Sequence, residues 1–213
     1  MEGNSANSPH IEDGLRGVPG VLKGAHFAAV RHSGQRRKGV AAEPYINHLL
    51  EVAELVSSAL SEPDTNLVIA ALLHDTIEDA GVTREELIQT FGTDVAGLVV
   101  EVTDNKTLPK AERKRLQIVH APKKSVRAQV IKLADKISNL RAILSSPPAD
   151  WSEQRKWEYF EWAKQVVDGL SAPNPKLKAE FERLYGEAET PDSALGTTAM
   201  PSISKTAPGK TNT

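Results

Sequence analysis

The segment Ala70-Ala71-Leu72-Leu73-His74-Asp75-Thr76-Ile77-Glu78-Asp79 begins as an apolar helix and then places four ionisable side chains within six residues. A helix built only for packing would continue with aliphatic residues. On an uninterrupted helix His74 faces Glu78 and Asp75 faces Asp79, with adjacent pairs about 100° apart, so all four line one wall of a cleft. Imidazoles and carboxylates together suit a divalent transition metal, and burying them is costly unless something coordinates or pairs with them.

Two distant residues extend the set. His48 follows Pro44-Tyr45-Ile46-Asn47, Asp135 lies in Lys132-Leu133-Ala134-Asp135-Lys136, and each interrupts an apolar helical pattern. Four ligands, His48, His74, Asp75 and Asp135, leave positions on a six-coordinate ion open to water and substrate. The 213-residue chain has no cysteine, which excludes thiolate metal sites, cysteine nucleophiles and disulfides. An oxygen-rich site without sulfur fits Mn²⁺, Fe²⁺ or Zn²⁺. Glu78 and Asp79 are then spare carboxylates, placed to orient or deprotonate a water.

Anion-binding charge is local. The net charge is −2, so no global field draws the chain to nucleic acid or to an anionic membrane, and neither is expected as a partner. Gln35-Arg36-Arg37-Lys38 forms a compact cationic loop upstream of His48. Lys106, Lys110, Arg113, Lys114 and Arg115 form a second basic group, some of which must face solvent because one helix cannot turn them all inward.

The elements that position these residues are helical almost throughout, and an all-α fold is expected. Helices are predicted over residues 21–33 (apolar stripe Leu22, Ala25, Ala29, Val30), 45–60, 66–79, 83–91, 94–102, 109–119, 126–144 and 151–170, with a last one opened by Asn174-Pro175. Thr83 and Glu86 have capping-box spacing. Pro109 is expected in the first turn of its helix. The cluster Trp151, Trp157, Tyr159, Phe160 and Trp162 is assigned to core packing, and His26, His32 and His120 to no role. Residues 21–185 are read as one domain, 1–20 as a flexible extension and 186–213 as a disordered tail poor in large apolar residues. With no apolar run long enough for a membrane span or a signal core, a cytoplasmic location is expected.

In order, Arg37-Lys38, Tyr45-Ile46-Asn47-His48, 71–79 (ALLHDTIED), 102–110 (VTDNKTLPK) and 132–140 (KLADKISNL) resemble the motifs of the HD-domain alarmone hydrolases. Within that superfamily of RelA/SpoT homologues, the chain is similar to the stand-alone small hydrolases related to the metazoan SpoT homologue. The resemblance covers residues 22–185 and implies a single bundle of about eight to ten helices. It also implies Mn²⁺-dependent removal of the 3′-pyrophosphate of (p)ppGpp, lowering the alarmone of the stringent response. His48, His74, Asp75 and Asp135 would hold the metal, and Glu78 and Asp79 would act on the water. Arg37, Lys38, Lys110 and Asn139 would contact the nucleotide, ppGpp or pppGpp. Two positions depart from the pattern: Leu49 follows His48 where proline is usual, and Ala142 stands where long relatives carry a hydroxyl residue. Two alternatives are a phosphatase acting on the 2′-phosphate of NADPH and a guanine-nucleotide-binding module without turnover.

Overall fold

A computed structural model describes residues 17–188. The expectations for residues 1–16 and 189–213 lie outside the described residues. Among the described residues, ten α-helices and one short 3₁₀ turn follow one another in the order α1 (Gly17–Arg31), α2 (Ile46–Ala59), α3 (Thr65–Leu73), α4 (Thr76–Ala80), α5 (Arg84–Phe91), α6 (Thr93–Val102), α7 (Lys110–His120), the 3₁₀ turn (Ala121–Lys123), α8 (Val126–Ser145), α9 (Glu153–Asp168) and α10 (Pro175–Gly186). The described residues form no β-strand, only an isolated bridge between Arg36 and Pro44.

Two helices make the centre. The sequence TNLVIAALL of α3 is apolar on nearly every face, and Leu67 and the run from Ile69 to Leu73 are buried. Asp64 caps it by accepting from the Leu67 amide at 3.0 Å, so its entry is fixed before the apolar run begins. The 20-residue α8 buries Ile131, Leu133, Ala134, Ile137 and Leu140 against α2, α3, α6 and α10. It also buries Gln129, Lys132, Lys136 and Ser138, polar residues that need partners. Ser125, Ser152 and Asn174 cap α8, α9 and α10 through their side-chain oxygens, and Thr83 accepts from the Glu86 amide at 3.1 Å as its spacing predicts.

Three expectations about helices are corrected. The stripe Leu22, Ala25, Ala29, Val30 is not the buried face of α1: Leu22 and Val30 are exposed, and Gly20, Gly24 and Ala28 are buried instead. The reason is close approach, since a Cβ on Gly24 would lie 3.3 Å from Ile69 Cγ2. Pro109 is the N-cap of α7 rather than a residue of its first turn. Most important for chemistry, residues 66–79 are not one helix. The chain leaves α geometry at Asp75 (φ −100°, ψ −1°), where the Thr76 hydroxyl donates to the Leu73 carbonyl at 2.6 Å, and α4 starts afresh. His74 and Glu78 therefore do not share one helix, whereas Asp75, as the N-cap of α4, keeps its one-turn relation to Asp79, whose amide donates to the Asp75 carbonyl at 2.8 Å. The break itself aims His74 and Asp75 inward, from the sparsely occupied bridge region of backbone space.

Candidate active site

The break between α3 and α4, the start of α2 and the middle of α8 meet at one place. One ligating atom each from His48, His74 and Asp135 lies within 4.8 Å of the others. Asp75 joins them, with Oδ2 3.2 Å from His74 Nε2 and 3.7 Å from His48 Nε2. The two imidazoles meet edge to face, centroids 5.2 Å apart. All four residues expected to ligate are thus assembled from three separate elements.

The surrounding hydrogen bonds decide which nitrogens face the cluster. His74 Nδ1 donates to the Ala71 carbonyl at 2.8 Å, leaving Nε2 buried with no hydrogen-bond partner. Ser138 donates its hydroxyl to Glu51 at 2.6 Å, so the same oxygen accepts from His48 Nδ1 at 2.8 Å. Both Nε2 atoms therefore point inward, the arrangement in which outer partners on Nδ1 orient a metal-ligating histidine. Asp135 is held by Lys136 Nζ on Oδ2 (2.9 Å) and by the Asn139 amide on Oδ1 (2.7 Å). Tyr45 donates to Asp75 at 2.6 Å.

Electrostatics agree with a cation-accepting centre. Burial drives the His48 imidazole toward its neutral form. Burial acts the same way on His74, but the Asp75 and Asp135 carboxylates outweigh it and raise that group to about 8. Burial opposes ionisation of Asp75 and Asp135; the histidines around Asp75, and Lys136 with the histidines around Asp135, overcome it and hold both acids below the ordinary range. An orphaned buried nitrogen amid ionised carboxylates is what a divalent ion would satisfy, and the donor set fits one.

Glu78 and Asp79 stand at the edge of the cluster on α4. Glu78 accepts from Arg113 Nη1 at 3.2 Å and from the Asp104 amide at 3.4 Å. Burial, then the charges of Asp104 and Asp75, raise its carboxyl above the usual range, which makes it the stronger base of a carboxylate pair. Asp79 accepts from Gln35 Nε2 at 3.0 Å and pairs with Lys106.

Beside this centre lies a cleft of about 420 Å³, lined by Arg36, Arg37, Lys38, Lys110, Lys114 and Arg155 among its cations and by only two acids, Asp79 and Glu158. Arg37, Lys38, Lys110 and Asn139, each expected at the nucleotide, all line it. Sequence reasoning missed Arg155, Trp151 and Tyr159, which also line it, with the Arg155 guanidinium 4.7 Å over the Trp151 ring. The aromatic segment had been assigned wholly to the core. Phe160 is core, whereas Trp151 and Tyr159 are half-buried and present faces to the cleft. Also missed were Glu51, Ser138 and Lys136. Their only signal was polarity inside helices that are otherwise apolar.

A family model described as an HD domain matches residues 25–159. The chain belongs to the HD-domain family. In sequence it is 50% identical over 165 residues to the guanosine-3′,5′-bis(diphosphate) 3′-pyrophosphohydrolase MESH1 of Xenopus tropicalis, covering 78% of this chain and 92% of that one. It is 48% identical to the Homo sapiens protein of that name, with the same coverage. A solved structure described as a metazoan ortholog of SpoT that hydrolyzes ppGpp superposes with a TM-score of 0.75 at 43% identity, over 78% of this chain and 94% of that one. That superposition extends over the all-α architecture described above. No described helix is long and apolar enough to cross a membrane.

Proposed function

We propose that this chain is a metal-dependent (p)ppGpp 3′-pyrophosphohydrolase whose single catalytic domain spans residues 21–185. The observation that carries the reading is the convergence of His48, His74, Asp75 and Asp135 beside a cleft with six cations and two acids. The similarity to pyrophosphohydrolases over most of both chains supports it.

His48 and His74 through Nε2, and Asp75 and Asp135 through carboxylate oxygens, would hold the ion; the thiolate-free, mixed N/O donor set accommodates the Mn²⁺ that the family resemblance implies. When bound, a divalent ion supplies Lewis-acid polarisation of a phosphoryl oxygen and lowers the pKa of a water. Glu78, raised by its burial, accepts a proton from the attacking water, and Asp79 orients that water from the next position on α4. Attack at the phosphorus nearest the ribose forms one P–O bond and breaks the bond to the 3′-oxygen. That oxygen regains a proton, so GDP or GTP and pyrophosphate leave. Arg37, Lys38 and Lys110 neutralise phosphate charge, and Asn139 contacts the nucleoside. Burial pushes the half-buried Tyr159 phenol up to about 12, so it stays protonated and offers a donor at the cleft.

The aromatic faces of Trp151 and Tyr159 beside the cations of the cleft also favour NADPH as a second substrate, cleaved at its 2′-phosphate. One assay separates these readings. Protein is incubated with ppGpp, pppGpp and NADPH under Mn²⁺, Zn²⁺ or Mg²⁺, and with chelator. Pyrophosphate release with Mn²⁺, abolished by chelation and in Asp75→Ala, is expected. Inorganic phosphate from NADPH alone would replace the reading with the second one, and nucleotide binding without any product would leave a non-catalytic module.

A further inference from the structure

His32 is buried, 2% exposed, and stands outside the metal centre and the cleft. Its ring stacks on Tyr45, centroids 5.3 Å apart at 24° between planes, and its Nδ1 lies 2.6 Å from Gln35 Oε1. An amide oxygen can only accept, so Nδ1 carries the hydrogen. That bond selects the orientation of the Gln35 amide, and the opposite end, Nε2, donates to Asp79 Oδ2 at 3.0 Å. With the amide reversed, its oxygen would face the carboxylate. The backbone of Gln35 is pinned as well: its amide donates to the His32 carbonyl at 2.9 Å, and its carbonyl accepts from the Tyr45 amide at 3.1 Å.

We infer that His32 and Gln35 are positioning residues, which fix the carboxylate of Asp79 in the orientation needed to hold the attacking water. Lys106 reaches the other oxygen of Asp79, Oδ1, from an exposed loop, so the rigid side of the grip is the Gln35 side. The inference rests on the assignment of Asp79 to the water, and the relay explains why the loop after α1 closes back on Tyr45. Gln35 also lines the cleft, whereas His32 lies outside it and acts only through Gln35.

The test is steady-state turnover of ppGpp with Mn²⁺ by Gln35→Met, His32→Phe, His32→Asn and Asp79→Asn, with thermal unfolding and Mn²⁺ affinity measured on each. Gln35→Met removes the donor from a half-buried loop and is expected to lower kcat about 10–100-fold while KM, Mn²⁺ affinity and unfolding temperature hold. His32→Phe keeps a ring against Tyr45 but has no donor, whereas His32→Asn places an amide N–H near the Nδ1 position without the ring. Positioning predicts that Asn retains kcat and Phe loses it; simple space-filling predicts the reverse order and overturns the inference. A Gln35→Met enzyme with wild-type kcat, or with a raised KM alone, overturns it too. Wild-type kcat in Asp79→Asn would instead sink the assignment of Asp79 itself, so the two failures are told apart.

Discussion

Arg37 and Asn139, 102 positions apart, are joined by a hydrogen bond from Arg37 Nη2 to Asn139 Oδ1 at 3.1 Å. Asn139 uses its other amide atom to donate to Asp135 Oδ1 at 2.7 Å. One side chain therefore ties the cationic loop before α2 to the carboxylate of α8 that faces both histidines. The cationic cleft and the His48, His74, Asp75, Asp135 cluster are built as one network, and a change at Asn139 acts on both.

Asn139→Leu removes both bonds at similar volume. It is expected to raise KM for ppGpp and to weaken Mn²⁺ binding, each by about 10-fold or more, as losses of outer hydrogen bonds to metal ligands typically do. Titration of metal-free protein with Mn²⁺, beside a KM measurement at saturating metal, checks the two effects separately. A change confined to KM would show that Asp135 does not depend on the amide.

The convergence of His48, His74, Asp75 and Asp135 was legible in the sequence because each is a polar residue interrupting an apolar pattern. The all-α architecture followed from periodicity for the same reason. The break at Asp75 was not legible, because no glycine or proline interrupts Leu73-His74-Asp75-Thr76; a local side-chain bond, the Thr76 hydroxyl on the Leu73 carbonyl, accompanies the end of the helix. The buried face of α1 was misread because hydrophobicity ranks Leu22 and Val30 above glycine, whereas the packing against Ile69 selects for absence of a side chain at Gly24. His32 carried no sequence signal, since its role depends on a loop closing over it.

Ser138 sits behind the metal centre and faces no cleft, so its loss isolates the outer support of a ligand. Ser138→Ala removes the acceptor of His48 Nδ1 and leaves a buried N–H unpaired, a cost of about 1–3 kcal/mol. Weaker Mn²⁺ binding with an unaltered KM for ppGpp at saturating metal is expected. Calorimetric titration of the variant reads it, and wild-type metal affinity would show that the serine is only a packing residue.

Gly39 marks where the cationic loop presses on the end of α8. A Cβ there would lie 2.0 Å from the Ser146 carbonyl oxygen, a backbone atom that cannot swing away, while Ala41 N donates to Ser146 Oγ at 3.0 Å beside it. Gly39→Ala must push the loop off α8, and Arg37 and Lys38 move with it. The expected result is a KM for ppGpp raised about 10-fold with Mn²⁺ affinity held, since a displacement of about 1 Å in positioning groups can cost that much or more. Unchanged KM would mean that the loop finds another seat against the helix.

Glu180 fastens α10 to the body of the domain and gives stability a defined pH dependence. Arg183 binds it through Nε and Nη2, both at 2.8 Å, and Arg141 Nη2 binds it at 2.7 Å while Arg141 Nη1 reaches Glu51 at 3.0 Å. The Arg183 hydrogen bonds, with Arg141, lower its carboxyl from 4.5 to about 2. A depressed folded-state value means that the folded protein binds fewer protons than the unfolded chain between those limits. The contribution is therefore complete above pH about 4.5 and is lost as pH falls toward about 2. Solvent screening of this partly exposed group keeps it to about 1–2 kcal/mol. Urea midpoints of wild type and Glu180→Gln should differ by a constant amount from pH 7 to 5 and converge below pH about 4.5, where protonation makes the wild-type side chain as neutral as the amide. A gap that stays constant down to pH 3 would place the stabilisation in side-chain packing instead. Because Glu51 also receives Ser138, the same ion-pair chain continues from α10 through Arg141 to the hydroxyl behind His48, so Glu180→Gln should weaken Mn²⁺ binding less than Ser138→Ala does.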